Sequence, residues 1–409
     1  MAHTFLTDDI VTLEALDVLE NQLTAAKHVT RKHEALFGTH NGSNRSTAIR
    51  VRKPPRFAGR SGATASYEDI TDSSVTLTID TQYGVDVQVT SQEMAMKVSD
   101  FREQIITPAV ARIANKVDTD VLAQYVHVPN SVGVPGTSPT ALSTYLNAGV
   151  LLDHESCPRD GQRKIFLGPQ AQADIVDALK GLFQSSGKLA SQYTSAEMGT
   201  NVAGLDWSMD QNVAVHTVGA LGGTPLVNGA SQTGSTLVTD GWSNSITGVV
   251  KAGDILTAAG CNAVNPVSGN STGQLRQFVV TADANSSGAG AASISIYPSI
   301  TTSGAFKTCS ASPTDNGVIK IFGHASSYAG LAASQQMAWH KSAIALAFAS
   351  LDIPRGTDKG STKTDNQLGL SIRFIRDYDI DNDLWKCRFD VFYGVKMLRP
   401  EWAVRVQGA

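Results

Sequence analysis

The stretch from Phe101 to Val128, FREQIITPAVARIANKVDTDVLAQYVHV, is the longest with a clear helical period, and the rest of the chain is organised around it. Thr107 is placed to cap and Pro108 to take the first helical position, where a missing amide hydrogen forfeits no bond. Ile106, Ala109, Val110, Ile113, Val117, Val121 and Tyr125 recur at three- and four-residue spacing and make one apolar stripe. Arg112, Asn115, Lys116 and Asp118 fall outside it and mark a wet face. With the turns from Ser99 onward included, the rod reaches roughly 40 Å at 1.5 Å per residue, longer than most globular domains need. It reads as the spine of something extended.

The 409 residues suffice for two or three domains, and a hydrophobic fraction of 42% marks a folded protein. A net charge of −4 gives no general reason for tight nucleic-acid binding, which needs clustered positive charge. Cys157, Cys261, Cys309 and Cys387 are far apart and form no CxxC pair, so neither a zinc site nor a disulfide framework is indicated. The opening MAHTFLTDDIV is no basic-then-apolar leader, and no run of about eighteen apolar residues occurs, so neither a signal peptide nor a membrane span is expected.

Residues 1–40 open with first-turn chemistry at Thr7-Asp8-Asp9, followed by Leu13, Leu16, Leu19 and Leu23 at helical intervals. This amphipathic arm either packs on its own domain or docks on another subunit or a partner helix. Between Glu34 and Glu68 there is no acidic residue, while Arg45, Arg50, Arg52, Lys53, Arg56 and Arg60 crowd beside Pro54-Pro55. Ile49 and Val51 alternate with Arg50 and Arg52 as in a strand. Val75, Leu77 and Ile79, then Val85, Val87 and Val89, read as a hairpin turning near Tyr83-Gly84. The expectation is a long two-stranded basic arm that meets a partner with an acidic surface; the bland alternative is a solvated loop. Only Phe57 and Tyr67 are available to stack on bases, which weakens a nucleic-acid reading.

Pro129 to Pro139 is a linker by composition. Beyond it, Lys164 to Leu167 reads as a strand leading through Gly168-Pro169 into a helix with Ile175, Val176, Leu179, Leu182 and Phe183 on one face. From Gly223 to Phe322 only eight residues in a hundred are charged, and β-patterned runs at 249–258, 277–281, 293–300 and 318–322 alternate with glycine-rich turns. That is an inserted all-β domain, a small barrel or sandwich, within an α+β chain. Helical character is expected again over Met337 to Leu346, and two strands, 370–374 and 385–393, flank Asp377, Asp379, Asp381 and Asp383.

Gly269-Asn270-Ser271-Thr272-Gly273 matches a nucleophile-elbow pattern but lies inside a β domain, where a tight turn explains it better. The alternate aspartates from Asp377 resemble the start of a calcium loop, yet Asn382 stands where glycine is needed and Arg388 where a bidentate glutamate is needed. An acidic hairpin tip, solvated or facing a basic partner, is the better account. The nine histidines form no metal pattern, and His340 reads as a core or boundary histidine with a backbone partner. No catalytic, cofactor or metal residues are assigned.

Several passages together resemble the major capsid proteins of tailed bacteriophages, in the coat-protein family typified by short-tailed phages of enteric bacteria. They are Pro108-Ala109 with Lys116-Val117-Asp118 and Asp120; Gly253-Asp254-Ile255; Ala263-Val264-Asn265-Pro266; QFVVTADA from Gln277; and Ser295 to Ile300. Trp339-His340-Lys341, Arg388 to Lys396 and Arg399-Pro400-Glu401 complete them. The likeness runs from about residue 99 onward, and the first hundred residues match only in kind.

The resemblance implies the tailed-phage capsid fold with an inserted Ig-like β barrel. It implies an N-terminal arm (1–40), an extended loop (41–92) and a peripheral domain with the spine helix (93–128). The axial domain (129–222 and 323–352) would be split by the insert (223–322), and a return hairpin (353–409) would follow. The implied function is self-assembly into pentamers and hexamers of an icosahedral shell around double-stranded DNA, assembled in the host cytoplasm with a scaffolding protein and with a portal protein at one vertex. Contacts between subunits are expected where the arm (Arg45, Arg50, Arg52, Lys53, Arg56, Arg60) meets acidic surface, with Asp377, Asp379, Asp381 and Asp383 as one candidate. The rivals are a cellular nanocompartment shell, told apart by enzyme cargo, and a hydrolase using Ser271, told apart by a serine-reactive probe.

Overall fold

The computed structural model describes residues 8–33, 48–57, 59, 62–65, 67–70, 73–90, 105–179, 199, 201–322, 328–354, 359–364 and 370–409. The chain divides into two compact units. The first holds Met1–Arg52, Ser74–Val121 and Ile344–Leu398; the second holds Lys53–Ser73, Leu122–Ala343 and Arg399–Ala409.

In the first unit the N-terminal segment forms α1 (Asp8–Gln22) and the long segment forms α2 (Thr107–Leu122). A π-type turn at 105–106 precedes α2, so the helix is already wound before Thr107 and the expected cap at that residue is not where it starts. The turns from Ser99 to Gln104 lie outside the described residues. Every residue of the apolar stripe, Ile106 through Tyr125, is buried as the spacing requires. Asp118 is the exception among the polar residues: it is buried, not wet, and its carboxylate accepts the amides of Thr24 (2.9 Å) and Ala26 (2.8 Å). On α1, Val11, Ala15, Leu16, Val18 and Leu19 are buried while Leu13 is exposed, so the inner stripe is rotated from the one the leucines suggest.

Five strands make the sheet of this unit. β15 (Ile344–Phe348), β18 (Leu384–Met397), β17 (Ser371–Asp379) and β16 (Lys359–Thr364) are neighbours in that order, and β3 (Thr81–Thr90) also pairs with β18. α1 packs on β16 and β17, where Asp9 accepts from the Ser361 hydroxyl at 2.7 Å and pairs with Lys363 at 3.0 Å. β1 (Ala48–Lys53) and β2 (Ser73–Thr78) form a separate two-stranded ribbon. The hairpin expected from Val75 to Val89 is therefore corrected. The chain turns at residues 79–80, β2 pairs with β1, and β3 runs antiparallel along β18 from Thr81↔Tyr393 to Thr90↔Leu384. Alternation located the strands, but it carries no information about which partner each one takes.

Glycine decides two of these contacts. A β-carbon on Gly84 would stand 2.3 Å from Asp390 Oδ1, and one on Gly394 would strike the carbonyl of Thr78 at 1.9 Å. Asp390 is fully buried there and is held by Arg373 (2.5 Å) and Arg388 (2.8 Å).

In the second unit a mixed sheet runs β4 (Asn130–Val132), β19 (Ala403–Gln407), β14 (Ala332–His340), β5 (Arg163–Leu167) and β6 (Asp206–Met209), with β7 (Val215–Thr217) also on β14. α3 (Leu142–His154) and α4 (Pro169–Leu179) supply Tyr145, Leu152 and Ile175 to a core shared with Ile165, Trp207, Val404 and Val406. Leu182 and Phe183 lie outside the described residues. The helix expected over Met337 to Leu346 is overturned: these residues end β14, turn at 341–343 and begin β15. Alanine-rich sequence favours a helix locally, but each of these strands is paired, and almost all of their residues are buried among neighbours, so tertiary packing overrides propensity. Residues 399–409, expected with the return hairpin, carry β19 in this sheet.

The low-charge stretch forms one six-stranded sheet: β13 (Ile319–Ile321), β10 (Ile255–Val264), β11 (Ser271–Val280), β12 (Ala292–Ile300), β9 (Gly234–Trp242) and β8 (Gly223–Val227). Its ends approach closure, since Leu226 bridges Val318 and Val227 N–H donates to Gly317 O at 2.9 Å. Inward residues such as Leu237, Ile255, Phe278, Ile294 and Ile296 fill it.

Candidate interaction surfaces

On β1 the side chains alternate. Ile49 and Val51 pack on Leu77 and Ala345, leaving Arg50 and Arg52 exposed. Lys53 is half-buried, and that burial pulls its ammonium pKa down against the opposing pull of Glu401. Arg56 turns back on its own chain, pairing with Glu401 at 3.6 Å and lying over the Phe306 ring at 5.9 Å. Arg45 and Arg60 lie outside the described residues. Of the basic cluster, then, Arg50 and Arg52 are exposed, Lys53 is half-buried, and Arg56 anchors the root of the loop that follows.

That loop is the most exposed apolar segment described. Phe57 is 57% exposed, Tyr67 96% and Ile70 70%. Gly59 N–H donates to Glu68 Oε1 at 2.9 Å, tying its two limbs together. Three large apolar side chains therefore stand in water on one short segment.

The acidic tip is more self-contained than its composition suggests. Asp377 and Asp379 lie on β17 itself, with Asp381 and Asp383 in the turn. Asp379 Oδ2 is 2.9 Å from Lys386 Nζ and accepts from Asn382 Nδ2 at 3.2 Å. Lys386 first, then Asn382, holds this carboxyl at about 2, below its ordinary 3.8. Asp383, at φ +50°, accepts the Tyr378 hydroxyl at 2.9 Å. The carboxylates of Asp379 and Asp383 are thus committed to hairpin partners. Ile380 at the apex is 80% exposed.

Ser271 opens β11 directly after the turn from β10, and its Oγ accepts Gly273 N–H at 3.2 Å. The setting is strand–turn–strand, so the geometry of a nucleophile elbow is absent at this site. His340 is buried on β14; its Nδ1 accepts Ser342 N–H at 3.2 Å, the expected backbone partner, and its Nε2 is 3.1 Å from Asp160 Oδ1.

Two buried polar groupings escaped the sequence reading. Asp254 Oδ1 lies 2.8 Å from His216 Nε2, Oδ2 accepts the amides of Gly219 and Lys251, and His216 Nδ1 is 3.3 Å from the Tyr125 hydroxyl. Arg405 lies over the Tyr125 ring at 5.7 Å, and burial brings its guanidinium down to about 10. The second is the buried ion pair of Glu155 with Arg276. Gly253, at φ +100° with His216 beneath it, was the one signal for the first; Arg276, a charge in a segment with so few, was the signal for the second.

The spine helix, the exposed loop, the mixed sheet and the nearly closed six-stranded sheet are the parts of a coat protein of tailed phages, the class that the family match shows. The chain belongs to the family described as P22 coat protein, gene protein 5, whose model matches residues 1–408. As a member of that family it is a major capsid shell protein, one that self-assembles into a shell. Similar solved structures include the capsid of Ralstonia phage GP4 (7% identity, 94% of this chain and 88% of that one, TM-score 0.46) and a chain of Mycobacterium phage Che8 (12%, 94% and 90%, 0.44). A third is a virus-like particle from Pyrococcus furiosus (10%, 97% and 98%, 0.39). No curated protein sequence matches.

Proposed function

We propose that the loop at 54–70, with Arg50 and Arg52 at its base, reaches over a neighbouring copy in the pentamers and hexamers of the shell. The observation that carries this reading is the exposure of Phe57, Tyr67 and Ile70 on one segment whose root is fastened by Arg56. Apolar burial supplies the attraction and the two arginines set the register against an acidic neighbour, since one exposed ion pair contributes only about 0–1 kcal/mol. Because Asp379 and Asp383 are engaged within the hairpin, the rest of the tip, Asp377 and Asp381 with Ile380, is the part offered to such a contact.

In the same reading the shell forms in the host cytoplasm on a scaffolding protein, carries a portal at one vertex and encloses double-stranded DNA without sequence-specific contacts. A net charge of −4 suits a wall that must not grip its contents. The exposed edge of α1, at Leu13, is the candidate scaffold contact. The division of the chain into arm, loop, peripheral, axial, inserted and return parts stands as part of this proposal.

The double variant Arg50→Glu/Arg52→Glu tests it. A folded, soluble chain that no longer closes into particles is the expected result; normal particles would refute it. Unchanged scaffold uptake by Leu13→Asp would remove the scaffold contact.

A further inference from the structure

Three passages inside residues 223–322 that carry the family likeness, Gly253-Asp254-Ile255, Ala263 to Pro266 and the run from Gln277, each send one polar side chain out of the six-stranded sheet to the mixed-sheet part of the same unit. Gln277 lies on β11 and lays its carboxamide along the outer edge of β4. Its Oε1 accepts Ser131 N–H at 2.7 Å, and its Nε2 donates to Ser131 O at 2.8 Å. β4 ends its sheet, with β19 on the other side, so these are the two bonds that a further strand would make.

Asn265 stands at the turn from β10 to β11, across most of β11 from Gln277, and meets the end of α3. Its Nδ2 donates to His154 O at 2.9 Å, one of the last-turn carbonyls that a helix leaves without an internal partner. Its Oδ1 accepts the Ser156 hydroxyl at 3.1 Å and the amides of Val267 and Ser268 at 2.9 and 3.0 Å, so one side chain both folds the turn and docks it. Between the two, Arg276 forms its buried pair with Glu155. Asp254 holds the entry to β10 through His216 and Gly219 N–H, at 2.8 and 3.1 Å.

We propose that Gln277 and Asn265 are positioning residues that set the angle of the six-stranded sheet on the mixed-sheet part. Both address main-chain atoms whose directions are fixed by β4 and α3, and hydrogen bonds weaken steeply when bent. The paired bonds of a carboxamide with a peptide resist rotation in their own plane, and the second anchor, further along β11, blocks rotation about the first. Arg276 and Glu155 supply attraction through two long side chains that can follow a change of angle. Asp254 sits where the chain crosses over, so it acts as a pivot. The six-stranded sheet then enters a shell already oriented, without the ordering cost that a swinging part would carry.

The test measures distances by double electron-electron resonance in the full chain, with nitroxides on Asn147→Cys in α3 and Ser235→Cys in β9, both exposed positions. The four natural cysteines are buried and stay unlabelled in the folded chain. A single narrow distribution is expected in this background and in Glu155→Leu/Arg276→Met, which removes the ion pair and keeps both positioning residues. Asn265→Ala/Gln277→Leu should broaden it by about twofold, because parts of one chain move relative to each other unless their contact holds them. Amide exchange along β11 and β12 should meanwhile stay slow, which separates an altered angle from an unfolded sheet. A broad distribution before any change at these residues would overturn the proposal. So would an unchanged width in Asn265→Ala/Gln277→Leu, equal broadening by loss of the ion pair, or general loss of protection in the six-stranded sheet.

Discussion

Ala26 N–H donates to Asp118 Oδ1 at 2.8 Å, so a carboxylate in the middle of the spine helix fastens the segment that follows the N-terminal helix. The other oxygen accepts Thr24 N–H and its hydroxyl, at 2.9 and 3.1 Å. Asp118→Ala would leave these donors buried without their acceptor, at about 1–3 kcal/mol each. Urea unfolding should show a loss of at least about 2 kcal/mol. A loss within about 0.5 kcal/mol, ordinary for a surface substitution, would mean the contact is not structural.

Asp118 also shows where periodicity stops being informative. Helical spacing placed the seven apolar residues of the stripe correctly, because burial of a helix face repeats with the helix. It placed Asp118 on the wet side because nothing in α2 itself announces that another segment will lie there with bare amides. The same limit produced the wrong pairing for β2 and β3: alternation is local, whereas the partner of β3 is β18, far along the chain. The alanine-rich run at 337–346 misled for the converse reason, its local helix preference being overridden by paired strands on both sides. Among the proposed contact residues, the exposure of Arg50 and Arg52 was legible from alternation with Ile49 and Val51. The anchoring of Arg56 on Glu401 and Phe306 was not.

Gly84→Ala should disturb the β3–β18 pairing, because the new methyl group would stand 2.3 Å from the buried Asp390 carboxylate and 2.6 Å from the Phe389 carbonyl. Overpacking of this kind costs about 1–3 kcal/mol. Faster amide exchange along β3 would register it, with α3 as the unaffected reference.

The buried pair of Glu155 and Arg276 gives an asymmetric prediction. Removing one member, as in Arg276→Ala, leaves an uncompensated buried charge and should destabilise by about 3–5 kcal/mol. Glu155→Leu together with Arg276→Met should recover most of that loss in denaturant unfolding. Equal damage from the single and double changes would contradict it.

At the hairpin tip, Asp379 is held at about 2 against an ordinary 3.8, chiefly by Lys386. A depressed carboxyl adds stability above its unfolded value, and that contribution disappears as pH falls from 3.8 toward 2. Carboxyl carbon shifts should titrate with a midpoint near 2 in the natural chain and at a higher pH, toward the ordinary 3.8, in Lys386→Gln, where Asn382 and the Asp381 amide still hold it down. An unmoved midpoint would exclude Lys386 as the cause.

If the exposed loop reaches over a neighbouring copy, it is covered in the assembled particle. A cryo-electron-microscopy reconstruction of shells grown from this chain reads that directly. Tyr67 and Ile70 should lie buried against an adjacent copy, with Arg50 and Arg52 facing its carboxylates. Closed shells in which both side chains remain in solvent, or a chain that stays monomeric under assembly conditions, would contradict it.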